Sequence, residues 1–135
     1  MNVHKGSCLC GTVRYEVQGD FNGFYLCHCT YCQKDTGSAH AANLFGQGAQ
    51  LSWLSGETDV TRFTLAGTRH SRSFCKHCGS AMPGVLFGGA AVLVPAGSLD
   101  TLVPVKPTAH VFTASKAGWE DDMASAPAFE QMPPR

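Results

Sequence analysis

The chain has 135 residues, 44% apolar and only 15% charged, with ten Lys+Arg balanced by ten Asp+Glu. That length suits one domain with a real core. The neutral balance argues against a nucleic-acid clamp or a polybasic membrane-surface protein, and the apolar content argues against a disordered chain.

The amino end, Met1 to Ser7, has no apolar stretch long enough for a signal-peptide core. Thr12 to Val17 alternates apolar and polar residues and reads as a half-buried strand closed by Gly19-Asp20. Phe24-Tyr25-Leu26 reads as a short strand. Thr30 to Asp35 suits one or two helical turns, with Thr30 as N-cap and Gly37 as the stop. Strand candidates follow at Ala41–Phe45, Gln50–Leu54 and Asp59–Leu65, separated by turns at Gly46-Gln47-Gly48 and Ser55-Gly56. Arg69 to Phe74 is a polar stretch. The uncharged run from Cys78 to Leu99 holds Gly79, Gly84, Gly88, Gly89, Gly97, Pro83 and Pro95, poor material for a spanning helix. Its pieces Val85-Leu86-Phe87 and Ala91–Val94 read as strands, as does His110-Val111-Phe112. Phe24, Tyr25 and Trp53 are core candidates. No linker or repeat interrupts the chain, so residues 1–135 are expected to form one mainly β domain with an irregular tail over 118–135.

Seven cysteines are an odd number, so a complete disulfide framework would leave one over. A chain with no signal-peptide core is expected in the cytoplasm, where thiols stay reduced, and metal ligation becomes the leading explanation. The cysteines form three clusters: Cys8-Leu9-Cys10-Gly11, Cys27-His28-Cys29-Thr30-Tyr31-Cys32 and Cys75-Lys76-His77-Cys78-Gly79. The last is a zinc knuckle, two thiolates on a tight turn with glycine taking positive φ. Cys8 and Cys10, two apart, put two sulfurs on one side of an extended segment. Joined, these pairs make a closed four-thiolate zinc site. The remaining three thiolates suit an open, catalytic-type zinc. Spacing alone also allows Cys8 and Cys10 to pair with two central thiols. Wholly structural zinc sites and an iron–sulfur cluster are the competing readings, the latter usually needing four cysteines.

Three ordered motifs, Gly6-Ser7-Cys8-Leu9-Cys10-Gly11-Thr12-Val13-Arg14-Tyr15, Cys27-His28-Cys29-Thr30-Tyr31-Cys32-Gln33-Lys34 and Phe74-Cys75-Lys76-His77-Cys78-Gly79, resemble the glutathione-dependent formaldehyde-activating enzyme family, also called centromere protein V-like. His110-Val111-Phe112, Ser115-Lys116-Ala117, Trp119 and Phe129-Glu130 extend the likeness. The resemblance implies a β-tent of packed antiparallel sheets with zinc knuckles. It implies two zinc ions per chain: a structural one on Cys8, Cys10, Cys75 and Cys78, and a substrate-facing one on Cys27, Cys29 and Cys32. Gln33 departs from the arginine that members often carry there.

A coordinated thiol ionises outright. The resemblance therefore implies a carbon–sulfur lyase-type enzyme that forms S-hydroxymethylglutathione from glutathione and formaldehyde. Its expected partners are a glutathione-like thiol and a small electrophile, with no nucleic acid or membrane. The alternatives are a non-catalytic zinc-stabilised binding module and a glutathione or formaldehyde carrier. A methionine-sulfoxide-reductase-like activity needs a free cysteine, and seven ligands leave none. Among the supporting residues, His28 is either an orienting hydrogen-bonder or a solvent-facing turn residue. Lys34 and Arg72 are either substrate-carboxylate partners or solvated charges. His110 matches the family's histidine and otherwise reads as a core histidine.

Overall fold

The computed structural model describes residues 2–135. Short strands with alternating burial organise them, and the structure is mainly β. One sheet holds β1 (Val3–Ser7), β2 (Arg14–Gln18) and β5 (Gln50–Ser55) in the order β1-β2-β5. A second, of five strands, is built from β3 (Gly23–Cys27), β4 (Ala41–Gln47), β9 (Gly84–Leu86), β10 (Ala91–Pro95) and β11 (Ala109–Val111), in the order β11-β3-β4-β10-β9. The third holds β6 (Val60–Thr64), β7 (Ser71–Cys75) and β8 (Ala81–Met82) with β7 central. One helix, α1 (Thr30–Thr36), follows β3. The expected antiparallel pairing holds throughout except between β11 and β3, which run parallel.

The core is built mainly from the first two sheets, with Cys75 and Met82 added from the third. Tyr15 and Val17 point inward from β2 while Arg14 is exposed, the period-2 pattern of a one-sided sheet. They meet Leu44 of β4 and Val92 and Val94 of β10 in one buried cluster. The Tyr15 hydroxyl lies 2.6 Å from Ser98 Oγ, and burial raises the phenol to about 12. Of the expected core aromatics, Phe24 is buried, whereas Tyr25 and Trp53 are half-buried.

Three strands lie where no strand pattern was read: β1, β7 and the two-residue β8. In β1 the inward residues are His4 and Gly6, so no apolar alternation marks it. Gly6 pairs with Tyr15, and a Cβ there would sit 2.3 Å from Tyr15 Cζ. In β7 the polar stretch Ser71–Phe74 becomes a strand because it is sandwiched between β6 and β8. At the corner where the chain passes from β4 to β5, Gly46 belongs to the strand and not to the turn. Its Cβ would lie 2.8 Å from Ala49 Cβ. The segment beyond β11 contains only 3-10 turns, at Thr113–Ser115 and Glu120–Asp122, within irregular chain. No described helix is long and apolar enough to cross a membrane.

Candidate metal centres and an adjoining cavity

The structure brings Cys8, Cys10, Cys75 and Cys78 together, each offering a sulfur within 4.8 Å of the others. β1 delivers Cys8 and β7 ends on Cys75. Gly79 closes the second knuckle in the left-handed conformation (φ 75°), with its N–H on Cys75 O at 2.8 Å. Tetrahedral zinc with Zn–S of about 2.3 Å sets sulfur–sulfur edges of about 3.8 Å. Cys8 to Cys10 measures 3.6 Å and Cys10 to Cys75 3.9 Å. A disulfide would need about 2.05 Å. The four sulfurs thus fit a tetrahedral metal. Hydrogen bonding, chiefly with the Ser80 side chain at 3.2 Å, lowers the Cys78 thiol to about 5 and favours the ligating thiolate.

Cys27, Cys29 and Cys32 form a second group, again within 4.8 Å of one another. Cys27 ends β3, and Cys29, in extended backbone (φ −65°, ψ 156°), is the N-cap of α1, one residue before the expected Thr30. Its sulfur accepts the Cys32 N–H at 3.3 Å. Gly37 stops the helix in the left-handed conformation as expected. Burial raises Cys32 and Cys27; at Cys29 burial also raises, but hydrogen bonds from Cys32 and Cys27 outweigh it and the thiol is lowered. Among the described residues no fourth His, Cys, Asp or Glu joins this trio. Both cysteine groups can hold metal ions.

The trio lines a cavity of about 530 Å³, within the usual range for small-molecule sites. The β6–β7 hairpin forms another part of its wall, contributing Arg62, Arg69, His70 and Arg72. His70 Nε2 pairs with Asp35 Oδ2 of α1, and its ring lies 5.2 Å from that of Tyr31. Phe112, held at φ 57°, also lines the space. Three of the chain's five arginines converge here. Arg62, Arg69, Asp35 and His70 had not been singled out in sequence; the only signal was a cluster of arginines in a charge-poor chain.

The supporting residues sort differently from expectation. His28 is not a solvent-facing turn residue, since its side chain is 1% exposed. His110 is not a core histidine; it is exposed on the edge strand β11, with Nδ1 2.8 Å from His28 Nε2. Arg72 is half-buried on the cavity wall, 5.4 Å over the Phe74 ring. Lys34 is exposed in the last turn of α1, away from the cavity, where its charge complements the helix dipole. Gln33 donates to His28 O at 2.8 Å and Ser115 O at 2.9 Å, so its amide straps α1 to the C-terminal segment.

Fold and site thus define a mainly β protein with two thiolate groups suited to metal, one closed and one lining a cavity. A family model described as glutathione-dependent formaldehyde-activating enzyme matches residues 3–115, and the chain belongs to that family. A Halomonas elongata protein named "Putative glutathione-dependent formaldehyde-activating enzyme" is 34% identical over 86 residues. The match covers 58% of this chain and 53% of that protein, so the chain spans about half the length of this curated relative. A crystal structure of a Rhodobacter sphaeroides protein shares the fold, with a TM-score of 0.58 at 21% identity. It covers 78% of this chain and 98% of that one.

Proposed function

We propose that the chain is a zinc-dependent carbon–sulfur lyase-type enzyme that joins glutathione to formaldehyde as S-hydroxymethylglutathione, and splits the adduct in the reverse direction. The observation that carries this is that the Cys27–Cys29–Cys32 trio and three arginines line one cavity. Cys27, Cys29 and Cys32 would hold one zinc, and Cys8, Cys10, Cys75 and Cys78 a second as a closed staple. Zinc held by Cys27, Cys29 and Cys32 would supply a cation that favours the ionised form of an incoming thiol.

Arg62, Arg69 and Arg72 receive the carboxylates of the tripeptide, since guanidinium pairs with carboxylate in a planar fork. Fixing both ends of glutathione leaves its sulfur beside the trio, so addition becomes a matter of proximity. The sulfur lone pair forms the new bond to the formaldehyde carbon. The carbonyl π pair moves onto oxygen, which takes up the proton the thiol released, so no further reactant is needed. Met82, Leu86 and Leu93 supply apolar wall that limits water around the adduct. In this reading the 135 residues act as one domain, and its unpaired thiols suit a reducing compartment such as the cytoplasm.

The adduct also forms without a catalyst, so exchange NMR of glutathione with formaldehyde is the test. Faster exchange at catalytic amounts of zinc-loaded protein is expected. Line broadening that saturates at one glutathione per chain, with unchanged exchange, would make the protein a carrier instead.

A further inference from the structure

Cys27 and Cys29 face the cavity, so His28 between them points to the opposite side of this extended segment. There it meets two residues outside every cysteine motif. His28, His40 and Glu120 each offer a ligand atom within 4.8 Å of the others. His40 immediately precedes β4, and Glu120 opens the 3-10 turn Glu120–Asp122, beyond the 3–115 span matched by the family model.

Buried polar atoms are nearly always hydrogen-bonded. Among the described residues, the buried side-chain nitrogens and oxygens lacking a partner are His28 Nδ1, His40 Nδ1 and Glu120 Oε2. All three belong to this cluster. Leaving such atoms unpartnered is costly, and most of all for a carboxylate. The Glu120 side chain is only 16% exposed, and its Oε1 stands 4.0 Å from His28 Nε2, too far for a hydrogen bond. His28 and His40 are not stacked, with ring centroids 5.3 Å apart at 53°. His110 Nδ1 lies 2.8 Å from His28 Nε2. If Nε2–H donates to His110, the Nδ1 lone pair of His28 is left bare, as in ligating histidines whose other nitrogen is held by an outer partner.

We propose that His28, His40 and Glu120 form a further metal site, distinct from both cysteine groups, for a first-row divalent transition ion such as Zn²⁺. Two imidazoles and a carboxylate suit that class of ion, and sulfur is not required. A divalent ion bound among these residues would give their orphan atoms a partner and offset the charge of the half-buried Glu120 carboxylate. These residues line neither the cavity at the Cys27–Cys29–Cys32 trio nor the one beside Trp119, which suits a structural role for the site. It clamps the C-terminal segment to the back of the Cys27–Cys32 loop, alongside the Gln33 strap.

The test is metal stoichiometry of the full chain after Zn²⁺ loading and removal of free ion. Wild type is expected to carry one equivalent more than Glu120→Gln and His40→Ala, whatever the occupancy of the thiolate sites. With Co²⁺ in place of Zn²⁺, the thiolate charge-transfer bands should be unchanged in both variants. Equal metal content in wild type and both variants overturns the proposal. Should a variant fail to fold, nitrogen-detected NMR of the wild-type histidines during Zn²⁺ titration decides. Metal-shifted Nδ1 resonances from His28 and His40 support the site, and unshifted resonances at saturation refute it.

Discussion

Exchanging cysteine for serine in the two sulfur groups should separate folding from ligand binding. Cys75 is 0% exposed and sits in the main core cluster, so Cys75→Ser removes a ligand from the closed group and buries a hydroxyl. Structural zinc contributes about 10–16 kcal/mol in zinc-finger peptides, against a net domain stability of about 5–15 kcal/mol. Retaining only half of the lower figure would cost about 5 kcal/mol. With a urea slope of about 2 kcal/mol/M, the midpoint falls by roughly 2.5 M, or the chain does not fold. Cys29→Ser behaves differently. Cys29 caps α1 through its sulfur, and serine is a preferred N-cap, so the helix start keeps an acceptor for the Cys32 N–H. Its stability should stay within about 1 kcal/mol of wild type, while glutathione binding is lost. Urea unfolding followed by tryptophan fluorescence, with metal analysis and calorimetric titration of glutathione, measures each quantity. Equal destabilisation of the two variants would refute the division between a closed staple and an open site.

Arg69 is exposed on the cavity wall, so Arg69→Ala should weaken glutathione binding about five-fold, or about 1 kcal/mol, with unfolding unchanged within about 0.5 kcal/mol. Titration of glutathione into both proteins checks this. Gly6→Ala should destabilise by about 3 kcal/mol, at the upper end of overpacking costs, because the fully buried Tyr15 ring cannot retreat from a Cβ at 2.3 Å. Urea unfolding reads that loss directly.

What was legible in sequence was local. The cysteine spacings, the helix at Thr30 and its stop at Gly37 depend on residues within a few positions of one another. The alternation of Thr12–Val17 marks a one-sided strand for the same reason. β1 escaped because its inward side chains are His4 and Gly6, and glycine is there to admit a tyrosine from the next strand. β7 escaped because its polar residues serve the cavity wall. The cavity itself joins α1 to a hairpin that begins 24 residues after the helix ends, and no periodicity records that meeting. Glu120 read as part of an acidic, irregular tail, since its histidine partners lie about 80 and 90 positions earlier in the sequence.

One hairpin serves two masters. Strand β7 ends on Cys75, anchored in the closed sulfur group, while the turn leading into it carries Arg69 and His70 above the open one. Under the proposed function, the rim that reads the anion would be the free end of a lever with a metal knot as its fulcrum. A chelator able to untie that knot would abolish substrate capture from a distance, with every sulfur of the reactive trio still in place.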